Sequence, residues 1–162
     1  MDNNKQSLEH RLITRLVACG HTVATAESCT GGLIAKRLTD IPGSSGAFPG
    51  GAVTYTNEMK TRLLGVSEQS IARHTEVSAA VAAEMAKGAR LLFGSTYAIS
   101  TTGYAGPGGG TPDEPVGTVY IGASSEAGEQ VYRLSCPPTD TREAVRSAAA
   151  DQALQMLLSL LE

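Results

Sequence analysis

The stretch TAESCTGG, residues 25–32, combines side chains that could act as nucleophiles with glycines that let a ligand approach the backbone. Ser28, Cys29 and Thr30 carry the hydroxyl and thiol groups that attack carbonyl carbons in covalent catalysis. The residues before the stretch are typical of a short β-strand, and the LIAKRL that follows is typical of a helix. The pattern therefore predicts a strand-to-helix turn, where open α/β sheets collect ligands.

The predicted helix start beside Gly31 and Gly32 would supply hydrogen-bond donors to such a ligand. The first N–H groups of a helix have no partner within the helix and carry the positive end of its dipole. A hydroxyl at Ser28 would then attack a carbonyl beside donors that stabilise an oxyanion. The alternative is structural: Ser28 or Thr30 is an N-cap, and Glu27 is buried or pairs with the helix dipole.

A nucleophilic serine needs a general base, and the three histidines, at positions 10, 21 and 74, all lie in helical or boundary segments. A Ser-His-Asp or Cys-His arrangement is therefore weakly supported. An unprotonated lysine can replace the histidine, and VTYTNEMK places Tyr55 at a strand end and Lys60 in the following helix. For Lys60 to act near neutral pH, its pKa must fall from about 10.4 to about 7–8, which burial in a dry pocket can achieve. The same spacing also fits an exposed lysine on an amphipathic helix.

A second glycine-rich segment, TTGYAGPGGGTPDEPVGT, covers residues 101–118. It lacks the Gly-Lys-Ser/Thr ending of a P-loop, and its prolines at positions 107, 112 and 115 prevent a helix. It fits equally a strand-end loop whose N–H groups face a phosphate or carbonyl, and a surface turn.

The composition argues against several classes of protein. The net charge is −3 with dispersed Lys and Arg, whereas nucleic-acid binders show a basic footprint. No apolar run approaches the roughly 20 residues of a membrane span, and the N-terminus lacks the apolar stretch of a signal peptide. The three cysteines have neither CxxC spacing nor an even count, which argues against zinc or disulfides. We therefore expect a cytoplasmic protein without a metal or cofactor, bound to neither nucleic acid nor membrane.

Strand and helix patterns alternate along the chain, followed by a hairpin and a last helix. Helical patterns cover residues 8–19, 31–41, 57–64, 78–93 and 141–161, and strand patterns cover residues 21–27, 50–56, 96–103, 116–125 and 129–136. Asn57 is expected to be the N-cap of its helix. The order predicts one domain, residues 1–162, with an α/β three-layer sandwich: a mixed β-sheet with helices on both faces. The small residues of the helix at 78–93 permit a homodimer.

Five segments together resemble the CinA C-terminal domain family: TAESCTGGLIAKRLTDIPGSS, VTYTNEMKTRLLGV, VSAAVAAEMAKGAR, TGYAGPGGG and PVGTVYIG. They occur in the family's order and cover nearly the whole chain from about residue 20. Active members are nicotinamide-nucleotide amidohydrolases, or NMN deamidases, of pyridine nucleotide salvage. They convert nicotinamide mononucleotide (NMN) and water to nicotinate mononucleotide and ammonia without a metal. The resemblance implies this fold, this activity and a small nucleotide substrate.

The resemblance also assigns roles to residues of this sequence. Ser28 is the implied nucleophile, Lys60 its general base and Tyr55 an assisting residue. Backbone N–H groups of residues 30–32 or 102–103 would hold the oxyanion, and the second glycine loop with an arginine would hold the phosphate. The residues expected to bind substrate are Thr30, Gly31, Gly32, Thr102, Gly103, Ala105, Gly106 and Arg142.

Three places depart from the family's usual pattern. Tyr104 replaces the Ile of TGIAGP, Glu114 stands where Lys is common before PVGT, and TDTREAVR keeps Arg142 without the usual Gly-Asp before it. If Glu114 faces the substrate, affinity for a mononucleotide should fall; if it faces solvent, nothing changes. The alternative function is a ligand-binding domain that is inactive or has changed its substrate, and it should keep its ligand affinity in Ser28→Ala.

Overall fold

A computed structural model describes residues 6–162 and contains one five-stranded sheet in the order β2-β1-β3-β4-β5. The elements, in chain order, are α1 (Leu8–Cys19), β1 (Val23–Glu27), α2 (Leu33–Thr39), β2 (Gly50–Val53), α3 (Asn57–Leu64), α4 (Glu68–His74), α5 (Ala79–Phe93), β3 (Tyr97–Gly103), β4 (Thr118–Ser125), β5 (Gly128–Ser135) and α6 (Arg142–Leu160). Strands β1, β2 and β3 are parallel, and β4 and β5 form an antiparallel hairpin on the β3 side.

Helices cover both faces of the sheet. Helices α1, α2 and α6 contact one another on one face, and α5 lies on the other face with α3 and α4 against it. The core on the first face contains Leu12, Ile34 and Leu154, and the core on the second contains Val81 and Met85. The predicted three-layer α/β sandwich with a mixed sheet is therefore confirmed.

The order of the parallel strands creates a crevice at the end of β1. Strand β1 lies between β2 and β3, and Glu27 at its end is in register with both Val53 and Thr101. The chain leaves β1 through α2 on one face, and it leaves β2 through α3 on the other. Such a switch point, outside the carboxyl ends of parallel strands, is where open α/β sheets bind ligands.

Small residues let α5 lie close to the sheet and to α3. A Cβ added to Gly122 of β4 would overlap the carbonyl oxygen of Ala82, and one added to Gly88 would overlap that of Leu64. Ala86 and Ala89 of α5 are also fully buried. The small residues that suggested a dimer surface thus pack within the chain, and the homodimer stays a prediction.

Three local expectations differ from the structure. Strand β2 ends at Val53, whereas the strand pattern extends to residue 56. Thr56, not Asn57, is the N-cap of α3, because its hydroxyl accepts the N–H of Met59 at 3.3 Å. Helix α4 has no predicted counterpart, since none of its residues is buried and it presents no apolar stripe. Its start is held in part by Glu84 of α5, which accepts the N–H of Ser67 at 2.8 Å.

Within residues 6–162, no helix combines the length and apolarity that a bilayer crossing needs.

Candidate active site

Ser28 lies directly after β1, at the switch point of the sheet. Its N–H donates to the carbonyl oxygen of Thr101 at 3.0 Å, which ties the turn to the end of β3. Gly31 and Gly32 then adopt φ values of 57° and 95°, in the left-handed region that favours glycine. These two residues turn the chain into α2 and leave the Ser28 side chain 7% exposed.

Glu27, the last residue of β1, occupies the start of α2. Its carboxylate is fully buried and accepts the N–H groups of Ile34 and Ala35 at 2.9 and 3.0 Å. It also accepts the hydroxyl of Thr30 at 2.7 Å. The donors that could have held a ligand anion therefore bind a carboxylate of the chain itself, as the structural alternative for Glu27 predicted.

Lys60 of α3 is 1% exposed, and its ammonium group lies beside Ser28. Its Nζ is 3.0 Å from Ser28 Oγ and 3.1 Å from the carbonyl oxygen of Thr54. Burial lowers the pKa of Lys60, because removal from water disfavours the charged amine, while the negative charge of Glu76 partly opposes this change. The alternative of an exposed lysine on an amphipathic helix is therefore wrong, and the side chain meets the geometric requirement for a general base.

Cys29, the rival nucleophile, lines the same cavity as Ser28 but is buried, and no histidine lies there as a rival base. Cys29 is 5% exposed, and burial raises the pKa of its thiol to about 12. Because the thiolate is the reactive form, this cysteine is inert near neutral pH. None of the three histidines lines the cavity that contains Ser28. Among residues 6–162, no three His, Cys, Asp or Glu side chains cluster as metal ligands would.

A cavity of about 390 Å³ opens above the Ser28–Lys60 pair, a size typical of small-molecule sites. Arg142 and Tyr55 lie at its mouth, where Tyr55 is 61% exposed. The Arg142 guanidinium donates to the carbonyl oxygen of Gly106 at 2.8 Å and to the Tyr55 hydroxyl at 3.0 Å. The Tyr55 hydroxyl thus contacts Arg142, and only the Tyr55 carbonyl oxygen approaches Lys60, at 3.5 Å.

The structure brings one predicted glycine loop to the cavity but not the other. The residues expected from the second loop all line it: Thr102, Gly103, Ala105 and Gly106. Residues 30–32 do not. The Thr30 hydroxyl is used by Glu27 and Thr101, and the faces of Gly31 and Gly32 where a side chain would begin point at Arg146 and Val53. The Thr30 hydroxyl and the open faces of the two glycines are thus used within the chain, and a substrate contact by residues 30–32 stays a prediction.

Two residues at the candidate site have only weak signals in the sequence. Glu76 lines the cavity, although it lies in a polar segment between two helices and follows no motif. Arg146 supports the nucleophile turn by donating to the carbonyl oxygens of Cys29 and Thr30 at 3.1 and 3.0 Å. Arg146 lies four residues after Arg142, a spacing that puts both on one helix face and could have indicated a shared site.

Glu114 lies outside the cavity lining. Its carboxylate pairs with Arg133 at 2.9 Å and accepts the Tyr120 hydroxyl at 2.6 Å. The negative charge of Glu114, which could have weakened mononucleotide binding, is thus paired with Arg133 of β5. Tyr104, the other departure, does line the cavity.

Comparison with known proteins identifies the family of the chain. Residues 5–161 match the CinA C-terminal domain. The chain belongs to the CinA C-terminal domain family. Relatives include a protein of Escherichia coli strain K12 named nicotinamide-nucleotide amidohydrolase PncC, which is 46% identical over 156 residues, or 96% of this chain and 94% of that protein.

Other members of the family are longer. A CinA-like protein of Myxococcus xanthus is 50% identical over 147 residues, or 90% of this chain, and a CinA-like protein of Chlorobaculum tepidum is 52% identical over 128 residues, or 79% of this chain. The chain spans about a third of the length of these two curated relatives, 34% and 30%.

Solved structures of the CinA family have the same fold. The competence/damage inducible protein CihA of Agrobacterium tumefaciens has a TM-score of 0.93 and 40% identity, covering 96% of this chain and 94% of that one. A CinA superfamily protein of Escherichia coli has a TM-score of 0.91 and 34% identity, covering 99% of this chain and 93% of that one.

Proposed function

We propose that this chain is a nicotinamide-nucleotide amidohydrolase that converts NMN and water to nicotinate mononucleotide and ammonia by a Ser/Lys mechanism. The observation that carries the proposal is the 3.0 Å contact between Lys60 Nζ and Ser28 Oγ at the base of a small-molecule cavity. The substrate is inferred from the name of the Escherichia coli relative, which matches nearly the whole chain.

The first half of the reaction transfers the acyl group to the serine. Neutral Lys60 takes the proton of the Ser28 hydroxyl as Oγ attacks the carboxamide carbon, which gives a tetrahedral oxyanion. Lys60 then passes this proton to the carboxamide nitrogen, the C–N bond breaks, and ammonia leaves. The nicotinoyl group remains attached to Ser28 as an ester.

The second half regenerates the enzyme. Lys60 takes a proton from water, whose oxygen attacks the ester carbon. The C–O bond to Ser28 breaks, Ser28 Oγ recovers a proton from Lys60, and the product acid ionises to nicotinate mononucleotide. One amide and one water are consumed for each acid and ammonia released.

Backbone donors at the turn would stabilise the oxyanion. The Ser28 N–H already donates to the carbonyl oxygen of Thr101. The N–H groups of Ile34 and Ala35 in the first turn of α2 donate to the Glu27 carboxylate. The N–H of Cys29 forms no hydrogen bond to another described residue, and it follows the nucleophile as in other serine hydrolases. We assign it as one oxyanion donor, of the kind whose loss costs about 10²–10³ in rate.

Arg142 would bind the phosphate at the mouth of the cavity. It is the first residue of the 19-residue helix α6, whose positive dipole end favours an anion. Its guanidinium contacts two neutral oxygens and forms no ion pair with a carboxylate of the described residues, so its charge is available. Ala105, Gly106 and Gly108 of the glycine loop line the same cavity, and their backbone N–H groups are further candidate donors to the phosphate.

Ammonia release from NMN by the purified chain tests the proposal, with nicotinate mononucleotide measured by chromatography. Ser28→Ala should lose at least about 10³-fold in kcat while keeping its fold. The matched control is Ser159→Ala, an exposed serine near the end of α6. Activity retained in Ser28→Ala would exclude the Ser/Lys mechanism. A folded wild type that binds NMN but releases no ammonia would favour the ligand-binding alternative.

A further inference from the structure

Glu76 places a carboxylate in the wall of the cavity that the proposed chemistry does not use. Among the described residues that line the cavity, it is the sole acid. Its backbone carbonyl accepts the Thr102 hydroxyl at 2.6 Å, which anchors the residue to β3. Its carboxylate forms no ion pair with another described residue. A half-buried, unneutralised carboxylate in a small-molecule site is a recognition element for positive charge.

Tyr104 lines the same cavity as Glu76. The pKa of the Tyr104 phenol is raised, mainly by burial and in part by the negative charge of Glu76, and the same charge acts on Lys60. The Tyr104 ring lies over Gly109 of the glycine loop, where an added Cβ would be 3.3 Å from the ring. A cation is attracted both to the face of an aromatic ring and to a negatively charged carboxylate, so the two side chains together favour a positively charged ligand.

The proposed substrate carries a positive charge close to its reacting group. The oxidised nicotinamide ring is a pyridinium, and the carboxamide that Ser28 must reach is attached to that ring. With Lys60 neutral, as a general base must be, Glu76 and Arg142 are the two charged side chains among the described residues that line the cavity, and Glu76 supplies the negative charge. Such a charge acts more strongly in a partly dry cavity than in water.

We propose that Glu76 and Tyr104 form a subsite for the positive charge of the pyridinium ring, so that the site selects oxidised over reduced nicotinamide mononucleotide. This inference rests on the proposed function and adds a specificity-determining pair to it. Glu76 and Arg142 carry opposite charges in one cavity, so they attract opposite ends of the substrate and fix its direction. After hydrolysis the new carboxylate lies near Glu76, and repulsion between the two favours release of the product.

The test compares two ligands that differ in ring charge. In the Ser28→Ala background, calorimetry gives the Kd of NMN and of its 1,4-dihydro form, which keeps the phosphate and carboxamide but has a neutral ring. NMN should bind about 10-fold tighter. Glu76→Gln should bring the two Kd values to within about twofold by weakening NMN alone, and Tyr104→Leu should lower the ratio in part.

Two controls separate ring recognition from other effects. Glu126→Gln removes an exposed carboxylate from the β4–β5 turn, outside the cavity lining, and should leave the ratio unchanged. Adding Lys60→Met to the background should also preserve the preference, since the amine does not supply it. Thermal denaturation confirms that each variant is folded.

The outcomes distinguish this inference from the function on which it rests. If the wild type releases ammonia from NMN and the ratio is the same in Glu76→Gln and Tyr104→Leu as in their parent, the subsite is wrong and the amidohydrolase stands. If the folded wild type neither binds NMN nor releases ammonia from it, the proposed function fails and the subsite fails with it.

Discussion

Lys60 Nζ lies 3.0 Å from Ser28 Oγ, although the two residues are 32 positions apart in the chain. A second contact, to the carbonyl oxygen of Thr54 at 3.1 Å, orients the amine. A neutral amine that donates one N–H to Thr54 can turn its lone pair towards the Ser28 hydroxyl. The same Thr54 donates its N–H to the carbonyl oxygen of Glu27 at 2.9 Å, so the segment that holds the base is bonded to the strand that holds the nucleophile.

The lowered pKa of Lys60 predicts the pH dependence of activity. Because the neutral amine is the base, kcat/KM for NMN should rise with pH, with its inflection below the ordinary lysine value of about 10.4. Glu76 raises this pKa, so Glu76→Gln should move the inflection to lower pH. Steady-state ammonia release between pH 5 and 10 measures both; an inflection that moves upward in the variant would contradict the assignment.

The same pKa sets the sign of a stability effect. The unfolded chain binds more protons at Lys60 than the folded chain does between the two pKa values, so the free energy of unfolding should rise with pH across that window. Urea denaturation of Lys60→Met, which has no titrating amine there, should lack this part of the rise.

Cys29→Ala should leave catalysis nearly intact despite its position beside the nucleophile. Burial keeps its thiol protonated, so we expect kcat/KM to change by less than about tenfold and iodoacetamide at pH 8 to leave Cys29 unmodified. Cys19 is exposed and serves as the control, since its alkylation should proceed without loss of activity. Mass spectrometry locates the label, and inactivation that parallels modification of Cys29 would make it the rival nucleophile again.

Arg142→Gln should raise KM for NMN by about 10–100-fold with little change in kcat, because contact with a remote phosphate stabilises ground and transition states alike. Nicotinamide riboside, which lacks the phosphate, should be insensitive to the substitution. Arg73→Gln removes an exposed charge from α4 and provides the control. An equal loss for both substrates would place Arg142 away from the phosphate.

Tyr55→Phe separates two roles for this residue. Its hydroxyl accepts from Arg142 rather than meeting Ser28 or Lys60, so removal should raise KM by less than Arg142→Gln does and leave kcat within about threefold. A fall in kcat by about 10² or more with unchanged KM would instead support the assisting role that the family resemblance implied. Steady-state ammonia release from NMN gives both KM and kcat.

Glu27→Gln should destabilise the fold by about 1–3 kcal/mol, because an amide nitrogen cannot accept the N–H of Ile34 or Ala35. Urea denaturation measures the loss. Glu143→Gln, an exposed acid in the first turn of α6, should stay within about 0.5 kcal/mol of the wild type. A similarly small effect at Glu27 would mean that its carboxylate does not hold the start of α2.

Local chemistry in the sequence was sufficient to predict most elements and the turn that contains Ser28. Apolar spacing and Gly20, Gly65 and Gly94, which cap α1, α3 and α5, indicate where helices end. The strand-to-helix turn at Ser28 follows from the strand before it and the glycines after it. Helix α4 was not predicted because none of its residues is buried and no apolar stripe marks it, although Ser67 caps it locally and Glu84 of a different helix also holds its start.

Only the tertiary structure decided which polar groups face the cavity. By itself, the sequence determined a sandwich with a serine directly after a strand and a lysine on a later helix, since side-chain spacing is a local property. Whether Lys60 is buried, whether the start of α2 is free to bind an anion, and whether Glu76 enters the site depend on residues distant in the chain. Burial, charge and hydrogen-bond partners arise from those distant contacts, so no local pattern specifies them.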